Sequence, residues 1–185
     1  MIEQIHQDAD DRMRKSLEKF RDDLRNVRSG RATPSILESV QVEYYGSRMP
    51  LSQIASVSAP QPRLLVVQVW DKGAVQAVVK GIQAADLGLN PADDGEIIRV
   101  QIPPLTEQRR REIVKRCKKT TEETKVSIRN IRRDGNEALQ KGEKEKEISE
   151  DNMHRAQKEI QKLTDSYIEK LDEAFKAKET EILEA

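Results

Sequence analysis

The chain has few of the side chains that enzymes use for catalysis or metal binding. Among its 185 residues it contains one cysteine, Cys117, and two histidines, His6 and His154. A single cysteine excludes an internal disulfide bond and any zinc site built on several cysteines. Each histidine falls on a charged helical pattern, with no serine or cysteine at a catalytic spacing. We therefore expect neither a metal site nor a catalytic set.

Aromatic residues are also scarce, at 3% of the chain against 36% charged residues. This composition is typical of long exposed helices rather than of a large enzyme core. The eight glycines form neither a Walker A loop nor a G-x-G-x-x-G turn, so we expect no nucleotide cofactor. No apolar run approaches the about 20 residues that cross a bilayer, and the first residues lack signal-peptide features. We expect a cytoplasmic protein without membrane contact.

Charge is distributed unevenly along a chain whose 33 basic and 33 acidic residues cancel. Residues 105–133 carry eleven basic and four acidic side chains, whereas residues 134–185 carry nine and fifteen. Part of this asymmetry would attract neighbouring helices to each other. A local basic excess in a neutral chain also predicts a protein that meets RNA at one surface only.

Residues 1–30 have the pattern of an amphipathic helix. Apolar side chains alternate in steps of four and three at Met13, Leu17, Phe20, Leu24 and Val27. Gly30 is a plausible stop for this helix, and Pro34 prevents its continuation.

Residues 31–104 change to short β-type patterns. Residues 40–44 alternate with period two, and Tyr45-Gly46-Ser47 is typical of a turn. Further β-type runs occupy residues 54–57, 64–70 and 97–102, with a short helix at about 74–85 and a loop at 87–91. This segment predicts a small mixed sheet with one helix.

Two more helices are predicted after Pro103 and Pro104. Thr106 is a suitable N-cap for the first, a break is expected within residues 141–147, and Ser149 can cap the second. Their predicted apolar stripes are Ile113, Cys117, Thr120, Thr124, Ile128, Ile131, Gly135 and Ala138, and then Met153, Ala156, Ile160, Leu163, Tyr167, Leu171, Ala174 and Ile182.

The helical segments therefore flank the β-type insert. The economical arrangement is an α+β protein, with an elongated three-helix bundle from residues 1–30 and 105–185 and a small β/α/β domain inserted at 31–104. The chain crosses between these domains twice, which predicts a hinge near residues 30–34 and 102–106. The hinge candidates are Gly30, Arg31, Pro34, Pro103, Pro104 and Leu105.

Basic residues gather on one side of the helix that follows Pro104. At about 100° per residue, an arc of roughly 60° beside the apolar stripe contains Arg111, Lys118, Lys125, Arg129 and Arg132. A solvated helix face would produce part of this pattern. One-sided basic charge exceeds what solubility requires, and the planar donors of arginine suit phosphate groups. The pattern alone leaves both interpretations open.

Five motifs spread along the chain resemble those of the bacterial ribosome recycling factor family. They are RSGRATP at residues 28–34, VEYYG at 42–46, PL at 50–51, PPLTEQRR at 103–110 and NIRRD at 130–134. Their order and the chain length also match, and Ser29 stands where the family often has threonine. Each motif alone is weak, but together they are highly specific.

The resemblance implies an L-shaped, monomeric translation factor that is not an enzyme. It implies binding to the post-termination ribosome, mainly through large-subunit ribosomal RNA, and action with elongation factor G, whose GTP hydrolysis drives subunit separation. It implies RNA contacts by Arg132 and Arg129 and, near the hinge, by Arg28 and Arg31. With the arc and the matching motifs, the candidate RNA-binding residues are Arg28, Arg31, Arg109, Arg110, Arg111, Lys118, Lys125, Arg129, Arg132 and Arg133.

Two other classes of protein would account for part of these sequence patterns. A structural coiled-coil or chaperone-like protein would explain the heptads but not the β-type insert or the basic arc. It predicts a stable, salt-insensitive oligomer, whereas a ribosome-binding factor predicts a monomer with salt-sensitive affinity. A small enzyme housed in the insert is opposed by the lack of a catalytic set.

Overall fold

A computed structural model describes residues 1–184 of the chain. Its helices are α1 Ile2–Arg25, α2 Val75–Ala84, α3 Glu107–Lys144 and α4 Glu150–Glu184. Its strands are β1 Gln41–Tyr44, β2 Ser47–Pro50, β3 Ala55–Gln61, β4 Leu64–Val69, β5 Pro91–Asp93 and β6 Ile97–Gln101. Three long helices and a small sheet-containing insert confirm the predicted α+β class.

The described residues divide into two compact units. The helical unit comprises Met1–Arg28 and Glu107–Glu184, and the sheet unit comprises Ser29–Thr106. The helical unit is thus assembled from two separate stretches of chain, whereas the sheet unit is one continuous stretch.

In the helical unit, α1, α3 and α4 each pack against the other two helices. The predicted stripe of α1 is buried at Met13, Leu17, Phe20 and Leu24. The stripes of α3 and α4 were predicted less well, since Thr121, Leu139 and Thr164 are buried where Thr120, Ala138 and Leu163 had been expected. A straight helix has 3.6 residues per turn, so its buried stripe drifts away from a strict seven-residue repeat.

The buried threonines of this unit are satisfied within their own helices. The Thr121 hydroxyl donates to the Cys117 carbonyl at 2.7 Å, and the Thr164 hydroxyl donates to the Ile160 carbonyl at 2.8 Å. A hydroxyl bonded in this way can enter an apolar seam without leaving an unpaired polar group.

The helix ends agree with the sequence prediction in two of three places. α3 ends at Lys144 within the predicted break, and the Ser149 hydroxyl accepts a hydrogen bond from the backbone N–H of Asn152 at 3.2 Å. The predicted end of α1 at Gly30 was wrong, because α1 stops at Arg25. There the Val27 N–H bonds to the Leu24 carbonyl three residues back, which tightens and ends the last turn.

The sheet unit contains two antiparallel sheets instead of the single mixed sheet that the sequence suggested. One is the hairpin β1-β2, and the other has the strand order β3-β4-β6-β5. Short connections favour antiparallel neighbours, since parallel strands need a long crossover. Pro60 lies within β3, an edge strand with an irregular register there, and Pro91 begins β5 where a loop had been predicted.

Helix α2 covers the sheet unit's core at very close range. A Cβ atom at Gly81 would lie 2.8 Å from the Gln41 carbonyl oxygen and 3.2 Å from the Val42 side chain. Only glycine permits this approach of a helix to a strand backbone. The core beneath is built mainly from valine, leucine and isoleucine side chains of the strands and α2.

Candidate nucleic-acid interface on helix α3

Helix α3 presents its basic side chains beside a face that is fixed by packing. Ile113, Cys117, Ile128 and Ile131 are buried in the helical unit and hold the helix in place. Burial raises the pKa of the Cys117 thiol, so this cysteine is a packed, protonated side chain rather than a nucleophile. The Cα positions of the neighbouring basic residues are therefore set by the core.

Three of the predicted RNA-binding residues on α3 are exposed cations without an ionic partner. Lys118, Arg129 and Arg133 form no ion pair or side-chain hydrogen bond with any residue in the described part of the chain. Together with Arg132, we call these residues the basic face. They span 16 residues of helix, from 118 to 133, which corresponds to about 22 Å and so to several nucleotides of an RNA strand.

Arg132 is half-buried and held by a neutral partner. Its Nη1 donates to the Gln161 Oε1 on α4 at 3.1 Å, and Gln161 Nε2 donates to Asp165 Oδ1 at 2.9 Å. Because an amide carries no charge, the guanidinium keeps its full positive charge and most of its five donors.

Lys125 lies on the predicted arc but has a different environment. Its Nζ is 2.6 Å from Asp172 Oδ1 on α4 and 3.3 Å from Glu122 Oε1, and its side chain is only 13% exposed. The hydrogen bond that Lys125 donates to Asp172 is the main reason that the pKa of Lys125 is raised above its ordinary value. This lysine is charged, but its charge is already compensated within the protein.

The three arginines at the start of α3 are also engaged. Arg111 pairs with Glu107, and Arg109 Nη1 lies 3.2 Å from Glu112 Oε2. Arg110 Nη1 donates to the Leu183 carbonyl at 3.5 Å, while its buried Nε has no partner among the described residues. These arginines link turns of α3 to each other or to the end of α4.

Arg28 and Arg31 are both exposed, but they belong to different units. Arg28 follows the end of α1 in the helical unit, and Arg31 belongs to the sheet unit. Neither forms an ion pair with a described residue.

The hinge candidates are anchored within the sheet unit on its side of the boundary. The Ala32 N–H donates to the Pro62 carbonyl at 2.7 Å, and the Ile102 N–H donates to the Arg63 carbonyl at 2.8 Å. Gly30 has φ +84°, and a Cβ there would lie 3.4 Å from the Leu105 side chain. Pro34 opens a short 3-10 turn, Pro34–Leu37, and Pro103 and Pro104 are exposed.

Known proteins match the chain over nearly its whole length. The sequence model of the ribosome recycling factor family matches residues 20–183. The chain belongs to the ribosome recycling factor family. Ribosome-recycling factors of Carboxydothermus hydrogenoformans and Symbiobacterium thermophilum are 54% and 52% identical to it, over 99% and 100% of both chains.

Solved structures of ribosome recycling factors share the fold. A solution structure of a ribosome recycling factor superposes with a TM-score of 0.76 at 42% identity, covering 100% of this chain and 98% of that one. The T. thermophilus ribosome recycling factor, placed with E. coli elongation factor G on the E. coli post-termination complex, gives a TM-score of 0.64 at 46% identity and 99% coverage of both chains.

Sequence reasoning missed three residues that shape the basic face of α3. Lys115 is an exposed cation with no ionic partner in the described part of the chain. It lies at the same angular position on α3 as Arg133, so the helical pattern contained its signal. Gln161 and Asp172 lie on α4, and nothing in the pattern of α3 could indicate them.

The described residues also lack two other kinds of feature. Among residues 1–184, no group of three or more histidine, cysteine, aspartate or glutamate side chains is placed to hold a metal ion. Within the same residues, no helix combines the length and apolar character of a membrane span.

Proposed function

We propose that this protein is a translation factor that binds the post-termination ribosome and separates its subunits together with elongation factor G. Membership of the ribosome recycling factor family supports this function. A family member 46% identical to this chain has been placed with elongation factor G on the post-termination complex. Cytoplasmic localisation and a monomeric state follow from this role.

The observation that carries the binding site is the basic face of α3. Lys118, Arg129 and Arg133 are exposed and have no ionic partner among residues 1–184, and Arg132 is held by a neutral amide. Phosphate groups of RNA are strong partners for cations whose charge is not already compensated. We therefore assign the basic face to large-subunit ribosomal RNA and give Lys125, Arg109 and Arg111 a smaller share.

The protein itself acts without catalysis in this proposal. The sequence has no nucleotide-binding loop, so the energy for subunit separation has to come from GTP hydrolysis by elongation factor G. The role of this chain is to bind the ribosome and to act there together with elongation factor G.

A hinge between the units is part of the proposal. Ala32 and Ile102 are hydrogen-bonded within the sheet unit, so the freedom would lie outside them, at residues 26–31 and 103–106. Donor and acceptor dyes on exposed residues Lys19 and Glu43 should give a broad or two-state distance distribution. A single narrow distance between the dyes that ribosome binding leaves unchanged would contradict a hinge between the two units.

The binding site is tested by replacing Arg132 and a matched arginine on another side of α3. Losing a charge-assisted contact costs about 1.5 to 3 kcal/mol, so Arg132→Ala should weaken ribosome binding roughly tenfold to hundredfold. The slope of log affinity against log salt should become shallower by about 0.7 to 0.9. Arg132→Lys should restore only part of the affinity, because it keeps the charge without the planar donors.

Co-sedimentation with 70S ribosomes and large subunits across a salt series measures both quantities. Arg116→Ala is the control, since Arg116 is exposed and unpaired among the described residues but lies about 160° around the helix from Arg132. Its affinity should match that of the parent. If Arg132→Ala bound ribosomes like the parent at every salt concentration, the assignment of RNA to this face would be wrong.

A further inference from the structure

The basic residues one heptad apart on α3 meet opposite kinds of partner on α4. Lys125 faces the carboxylate of Asp172 at 2.6 Å, whereas Arg132 faces the amide of Gln161 at 3.1 Å. Both partners lie on the same antiparallel helix, and each supplies an oxygen acceptor. The two contacts therefore differ in charge, and only one of them neutralises its cation.

The amide of Gln161 is oriented by a second contact along α4. Gln161 Nε2 lies 2.9 Å from Asp165 Oδ1, one helical turn further on. An ionised carboxylate can only accept a hydrogen bond, so the NH₂ group of Gln161 must face Asp165. This turns the amide oxygen towards Arg132, where it accepts from Nη1.

The arrangement holds the guanidinium without removing its charge. Arginine has five N–H donors in a rigid plane, and the bond to Gln161 uses one of them. A long side chain that is already ordered loses less conformational entropy when it binds a phosphate. No carboxylate in the described residues lies within ion-pair distance of Arg132 to compete with that phosphate.

We infer that Gln161 is a positioning residue for Arg132, which it orients for phosphate contact while leaving the positive charge uncompensated. The inference rests on the proposed function, because it assumes that Arg132 contacts RNA. A carboxylate at position 161 could still accept a hydrogen bond from Arg132, but it would have no donor for Asp165 and would compensate the charge of Arg132, as Asp172 does for Lys125.

The test uses two replacements of Gln161 in the full-length protein. Gln161→Met keeps the side-chain volume and removes both hydrogen bonds, so ribosome affinity should fall roughly threefold to tenfold with little change in the salt slope. Gln161→Glu should lower the affinity and also make the salt slope shallower by about 0.7 to 0.9, since one cation is compensated. Gln161 is exposed, so the melting temperature should stay near that of the parent.

A double-mutant cycle separates positioning from an effect of Gln161 on its own. In the Arg132→Ala background, Gln161→Met should cause no further loss of affinity, because the residue through which it acts is gone. Gln157→Ala is the control, as Gln157 lies one turn away on α4 and has no side-chain hydrogen bond within residues 1–184. That variant should bind like the parent.

Each outcome bears on one proposal. If Arg132→Ala weakened binding while Gln161→Met did not, the positioning role would be wrong and the RNA role of Arg132 would stand. An equal loss from Gln161→Met in both backgrounds would also overturn the positioning role. If Arg132→Ala itself had no effect, the assignment of RNA to the basic face would fail first.

Discussion

The two units of the molecule are held together in different ways. The sheet unit has a continuous core of valine, leucine and isoleucine that the strands and α2 enclose. The helical unit buries a narrow seam that includes Thr121, Thr164 and Gly135. Each helix needs only one apolar stripe for this seam, which leaves most of its surface free for charge. The helical unit thus has room for the long basic face that we propose as its RNA contact.

The close contact of α2 with β1 offers the largest expected change in stability. Gly81→Ala would place a Cβ 2.8 Å from the Gln41 carbonyl oxygen, a backbone atom that cannot easily move. Overpacking of this kind costs about 1 to 3 kcal/mol, and the better helix propensity of alanine offsets up to about 1 kcal/mol. We expect a net loss of about 1 to 2 kcal/mol, confined to the sheet unit.

Trp70, the only tryptophan, reports on that unit in urea unfolding. The Gly81→Ala replacement should move the midpoint of the Trp70 fluorescence transition to a lower urea concentration. The midpoint of the helical circular dichroism transition should change little. Gln83→Ala, at an exposed position of α2, is the control. Equal shifts of the fluorescence and circular dichroism transitions would show that the two units unfold together. Their cores would then not be independent.

One part-buried polar contact joins two helices of the helical unit. Tyr167 donates its hydroxyl to Asp10 Oδ1 at 2.6 Å, which ties α4 to α1. Tyr167→Phe should lower the unfolding free energy by about 1 to 1.5 kcal/mol. The loss of stability should appear in the helical circular dichroism transition and not in the Trp70 fluorescence transition. This is the reverse of the result expected for Gly81→Ala.

The same contact predicts a dependence on alkaline pH. Burial, followed by the hydrogen bond to Asp10, raises the pKa of Tyr167 from 10.0 to about 12. Between these values the unfolded chain loses the phenolic proton first, so stabilisation present below pH 10 is lost as the pH rises towards 12. The stability difference between the parent and Tyr167→Phe should shrink over this range, and a constant difference would contradict the raised pKa.

The smallest expected effect distinguishes free from compensated cations on α3. Lys118→Ala should make the salt slope of ribosome binding shallower by about 0.7 to 0.9, since Lys118 is unpaired among the described residues. Lys125→Ala should change the slope less, because Asp172 and Glu122 already compensate its charge. Equal slopes for the two variants would mean that internal pairing does not determine which lysines meet RNA.

The sequence predicted the features that depend on local periodicity. The apolar steps of α1, the break after Lys144 and the cap at Ser149 all arise from residues close together in the chain, and the structure contains each of them. Features that depend on distant partners were harder. Whether strands pair in one sheet or two depends on how the connections fold, and α1 ends early through its own backbone bonds.

In the candidate site, too, local features could be predicted from the sequence and features that depend on distant residues could not. The angular positions of Lys118, Arg129 and Arg132 could be calculated from the helix repeat alone. Their environments could not, because Gln161 lies 29 residues beyond Arg132 and Asp172 lies 47 beyond Lys125. Which residue of α4 faces which residue of α3 depends on the turn at residues 145–149, whose geometry includes Lys146 at φ +59°.

The discontinuous make-up of the helical unit has a consequence for biosynthesis. Helix α1 is made first, but its packing partners α3 and α4 end at Lys144 and Glu184. At a synthesis rate of about 5 to 20 residues per second, α4 is complete roughly 8 to 30 s after α1. The sheet unit, one continuous stretch from Ser29 to Thr106, can fold during that interval. The unfinished chain therefore displays the unpacked apolar stripe of α1 until α4 is complete.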